Sequence, residues 1–81
     1  MNKENLLKFF EQEYNNAKRV LDESPWYVDK EESVYRGLSR CYGVVMFLEQ
    51  YCNDAISHEE IENAFNEVRD KFSVLIDMAN M

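Results

Sequence analysis

Glycine and proline are scarce: two glycines and one proline in 81 residues. A turn-rich β fold needs such punctuation about every ten residues, so that class is excluded. Histidine occurs once, at position 58, which leaves little for a metal site or for acid–base catalysis built on imidazole. No run of uncharged apolar residues is long enough for a membrane span, which takes about 18 or more. The first residues, MNKENLLKFFEQEYN, meet an acid at Glu4 and lack both an apolar run and a small-residue cleavage site. They do not read as a signal peptide, and a cytoplasmic location is the expectation. Bases are also in short supply, nine against sixteen acids, for a net charge of -7. The field of such a chain repels nucleic acid and anionic membranes. It favours a basic partner, or serves solubility alone.

The two cysteines, Cys41 and Cys52, fall in one expected helix, roughly 16 Å apart along its axis. That separation is far beyond disulfide reach, so they pair only between chains or stay reduced. Their apolar surroundings point to buried thiols in a reducing compartment.

What the chain does have is a threefold pattern. Leu7, Phe10, Tyr14, Ala17 and Leu21 recur at spacings of three and four. So do Val34, Leu38, Cys41, Val45, Leu48 and Cys52, and again Ile61, Phe65, Val68, Phe72, Leu75 and Ala79. Alternation of three and four keeps one stripe of a helix facing a neighbour. The expected fold is therefore all-α: one domain over residues 1–81, an antiparallel three-helix bundle that dimerises, if at all, through its second helix. A core this small is only marginally stable.

The expected helices cover residues 3–23, 30–52 and 58–79. Ser24-Pro25 ends the first, because the residue before proline is pushed out of the helical region. Asp29 is placed to cap the second, with Glu32 three residues on. Ser57-His58-Glu59-Glu60 forms a capping box for the third. The early acids Glu59, Glu60 and Glu62 complement the positive end of its dipole. Short links at 24–29 and 53–57 favour antiparallel neighbours.

The second helix is unusual. At about 100° per residue its apolar arc runs from Tyr51 and Val44 through the stripe to Tyr42, Tyr35 and Met46, roughly 220° in all. Residues 41–48 carry no charge. One reading sandwiches this helix between the other two, with tyrosine hydroxyls at the edges. The other has it meet a second copy or another protein. Opposite the stripe lie Arg36, Arg40, Gly43 and Phe47, types enriched at protein interfaces apart from the glycine, which permits close approach. The alternative there is an Arg36–Glu32 pair four residues apart and a Phe47 covered by its neighbours. Gly37 faces the core side, as a packing glycine. In the first link, Trp26 and Tyr27 either plug the open end of the bundle or form an exposed hot-spot pair.

Reactive constellations are missing. His58 and Glu62 have ligand spacing but no third partner, no Glu-x-x-His pair supports a di-iron site, and no glycine-rich phosphate loop occurs. The Arg36/Arg40 pair is too small a basic feature for nucleic acid. The expected function is a non-catalytic protein-interaction module, without metal or cofactor, using Arg36, Arg40, Gly43, Phe47, Trp26 and Tyr27. The alternative is a compact acidic inhibitor of a basic nucleic-acid-binding enzyme, the physical type of immunity and phage counter-defence proteins. Its binding surface would be Glu59, Glu60, Glu62, Glu67 and Asp70.

Overall fold

A computed structural model of the chain describes residues 2–26, 28–51 and 56–80. Tyr27 and Cys52 lie outside the described residues. Three helices account for the fold: α1, Lys3–Glu23; α2, Lys30–Tyr51; α3, His58–Ala79. Each packs against both of the others, and there is no strand among the described residues.

Local chemistry sets the ends. The Asn2 side chain accepts from the Asn5 amide at 2.8 Å, capping α1. Ser24 leaves the helix with extended backbone just before Pro25, as the steric rule for pre-proline residues requires. The Asp29 carboxylate accepts from the Glu32 amide at 3.0 Å at the start of α2. Ser57 and Glu60 form the full reciprocal box at the start of α3. No basic residue lies in the last turn of α1. Instead Lys30 reaches back from α2 and donates to the Leu21 carbonyl at 3.0 Å. One lysine thus satisfies an otherwise orphan carbonyl and places its charge at the negative end of the α1 dipole.

The core is one cluster. Leu6, Phe10 and Ala17 come from α1, Val34, Cys41, Val45 and Leu48 from α2, and Ile61, Ala64, Val68, Phe72 and Leu75 from α3. Most of the expected stripe positions are here. Two expectations are corrected. Leu7 is 40% exposed, and its neighbour Leu6 is fully buried in its place. Either leucine keeps a three- or four-residue step to Phe10. The contact that decides is tertiary: Leu7 turns to the flank, into a groove beside Lys3, Glu60 and Asn63. On α3 the small Ala64 takes the buried position. Phe65 packs half-buried from the side, between the rings of Phe10 and Tyr42. The second link also contributes, because Ile56 is buried ahead of the Ser57 cap.

Gly37 has a packing role, as expected. A β-carbon there would sit 3.1 Å from Cε1 of Phe72. The missing side chain therefore lets the fully buried Phe72 ring lie against the α2 backbone, with Tyr14 of α1 edge-on to it at 6.1 Å.

Candidate protein-interaction surface on the second helix

The bundle buries only part of the apolar arc of α2. From Tyr35 to Tyr51 the helix exposes ten residues: Tyr35, Arg36, Ser39, Arg40, Tyr42, Gly43, Met46, Phe47, Gln50 and Tyr51. None is acidic, in a chain where acids outnumber bases sixteen to nine. Five are large hydrophobics. Phe47 and Tyr51, one turn apart, hold their rings 5.2 Å apart on the outer surface, and Phe47 remains 55% exposed. On the α3 flank Tyr42 leans on Phe65 with centroids 5.8 Å apart. The tyrosines do sit at the edges, but neighbours do not cover Phe47.

The arginines are ion-paired. Arg36 donates to Glu32 at 2.7 Å, one turn back. Arg40 was expected on the open back of α2; it instead reaches α1 and donates to Glu13 at 2.9 Å. The Glu13 side chain is only 12% exposed, so this pair ties α1 to α2 more firmly than an ordinary surface bridge. Both guanidinium groups are balanced inside the chain, and the face they frame is close to neutral.

Gly43 is the counterpart of Gly37. A β-carbon added there would meet nothing within 4 Å among the described residues. A glycine within a helix costs on the order of 1 kcal/mol relative to alanine, and here no contact among the described residues accounts for that cost.

The remaining expected residues lie away from this face. Trp26 is 91% exposed, so it does not plug the bundle, and its expected companion Tyr27 lies outside the described residues. Four of the five acids of α3, Glu59, Glu60, Glu67 and Asp70, fall within about 100° of the helix circumference, and Glu60 and Glu67 line one groove. Glu60 serves the capping box and approaches Lys3 of α1 at 3.9 Å. Glu62 turns the other way, to His58 at 3.3 Å. Glu67 lines the α1/α3 groove near Leu7. Glu59 and Asp70 are exposed.

His58 lies between Glu49, 3.0 Å from its Nδ1, and Glu62, 3.3 Å from its Nε2. The two carboxylates occupy opposite edges of the ring and cannot converge with it on one ion. No group of three potential ligands is present among the described residues. No helix among them is long and apolar enough to cross a membrane.

Cys41 is buried and free. Burial, reinforced by the Glu13 carboxylate, pushes its thiol up from 9.0 to about 12. In a Cys52→Ser background, alkylation of Cys41 at pH 8 should proceed no faster than global opening and become rapid in denaturant, since only the thiolate reacts. Fast labelling of the folded protein would contradict this burial. The sign for stability follows from the same shift. The unfolded thiol ionises first, so its contribution is intact below pH 9.0 and is lost progressively up to about 12. Alkaline melts of the wild type should fall more steeply in that range than those of Cys41→Ala.

No protein-family model matches the chain, and comparisons with curated proteins and with solved structures returned no match.

Proposed function

We propose that the protein is a non-catalytic, cytoplasmic protein-interaction module that binds through the exposed face of α2. One observation carries the reading: ten exposed positions from Tyr35 to Tyr51 without a carboxylate, five of them large hydrophobics. Aromatic and arginine-rich patches with a neutral centre are typical of the anchors in protein interfaces.

The bundle is read as antiparallel between successive helices. Lys30 at the start of α2 holds the end of α1. His58 at the start of α3 meets Glu49 near the end of α2. Lys3 and Glu60, both in first turns, approach each other. In that arrangement α1 and α3 cover one side of α2 and leave its back to a partner.

The face is tested by a Met46→Ser/Phe47→Ser double variant. Both side chains are about half exposed, so helical content should persist while capture of the partner is lost. Capture at the wild-type level would contradict the reading. A second reading, a compact acidic inhibitor of a basic protein, draws on the net charge of -7. It differs in its salt response: binding through carboxylates weakens steeply with added salt, whereas binding through the α2 face does not.

A further inference from the structure

We infer that the occupant of the α2 face is a second copy of this chain, the two α2 helices crossing antiparallel at Gly43 about a twofold axis. The inference rests on the reading of α2 as the binding face and adds the partner's identity.

Four observations converge on it. The first is Gly43 itself: Gly37 is explained by Phe72, but among the described residues nothing occupies the space beside Gly43. A glycine at a helix crossing lets two backbones approach closely. The second is charge. An acidic partner would call for free cations on this face, yet Arg36 and Arg40 are already neutralised by Glu32 and Glu13. A balanced face suits an identical balanced face.

The third is register. An antiparallel crossing at Gly43 sets Arg40 opposite the partner copy's Met46, Arg36 opposite its Gln50 and Ser39 opposite its Phe47. A parallel crossing would set each arginine against itself and is disfavoured. The isologous antiparallel form also closes on itself, with each contact made twice. The fourth is area. Tyr42 and Tyr51 lie about 180° apart on α2, so one crossing takes four of the five large side chains. Aromatic side chains carry about 150–250 Å² each, and four about half exposed offer on the order of 400 Å² per copy. Two copies reach about 800 Å², the range of weak, transient contacts. An interface of that size self-associates weakly, in roughly the micromolar range.

The test is sedimentation equilibrium of the full chain across a dilution series, for the wild type and Gly43→Arg. The arginine has open space, so the variant should fold at least as stably as the wild type. The wild type should move from 9.7 kDa toward twice that mass as concentration rises. Gly43→Arg should associate at least tenfold more weakly. Added salt should strengthen association of the wild type, because it screens repulsion between two copies of charge -7 and leaves a neutral contact untouched. A wild type that stays at 9.7 kDa up to high micromolar concentration overturns the proposal. So does Gly43→Arg dimerising as well as the wild type. Neither outcome bears on the α2 reading itself, which is judged by whether position 47 contacts any protein.

Discussion

Phe72→Ala should cost about 3–5 kcal/mol of stability, the usual penalty for emptying a buried phenylalanine site. Phe72 is fully buried, and its ring touches all three helices: it belongs to α3, lies against the α2 backbone at Gly37, and meets Tyr14 of α1 edge-on. The cavity would therefore open at the point where the helices converge. Helix backbones on two sides limit collapse around it, which favours the upper part of that range. At about 0.05–0.15 kcal/mol per residue, a chain of this length has only ~4–12 kcal/mol in total. The loss is a large fraction of that total and should lower the urea midpoint markedly, read by circular dichroism. Phe65→Ala, at a half-buried flank, should cost less than half as much. A Phe72→Ala loss below about 1 kcal/mol would mean that this ring is not the centre of the core.

The second large effect separates the two glycines. Gly37→Leu should destabilise by about 1–3 kcal/mol, because the first added carbon already meets the Phe72 ring and the rest have nowhere to go. A β-carbon there lies 3.1 and 3.3 Å from ring carbons and 3.8 Å from the Glu13 carbonyl. Gly43→Ala adds the same first carbon to the same helix in open space. It should raise the stability of the monomer by about 0.5–1 kcal/mol through helix propensity alone. Urea titrations of both variants at low protein concentration read the two signs directly. Equal effects of the same sign would contradict the placement of Gly37 on the core side.

These two glycines also show how much was legible in the sequence. The role of Gly37 could be read from its position beside the stripe of α2. The caps at Asp29 and Ser57 and the stop at Ser24-Pro25 were legible because they are local chemistry within three or four residues. The Arg36–Glu32 pair belongs to the same class. What sequence reasoning missed is tertiary. Leu6 and Leu7 are adjacent apolar residues about 100° apart, and only the position of the neighbouring helices decides which is buried. Arg40 and Glu13 are 27 residues apart, and no periodicity joins them; the pair exists because α1 and α2 pack in one particular register. Trp26 shows a further limit. A large aromatic in a short link carries no sign of whether it turns inward, and here it turns out.

The surface on α2 was visible in part for a simple reason. Two packed neighbours cover only part of a helix's circumference, so an apolar arc of roughly 220° exceeds what they can bury. The absence of carboxylates across the same positions is a second signal, independent of hydrophobicity, and it becomes clear only when exposed residues are separated from buried ones.

The central claim is that this face, and not the acidic flanks, is where the protein meets its partner. The most direct measurement places a photo-crosslinking phenylalanine analogue at position 47 on α2 and, separately, at the exposed position 63 on α3, in cells that make the protein. The account predicts discrete adducts from position 47 and none above background from position 63. Adducts from position 63 with none from position 47 would contradict it.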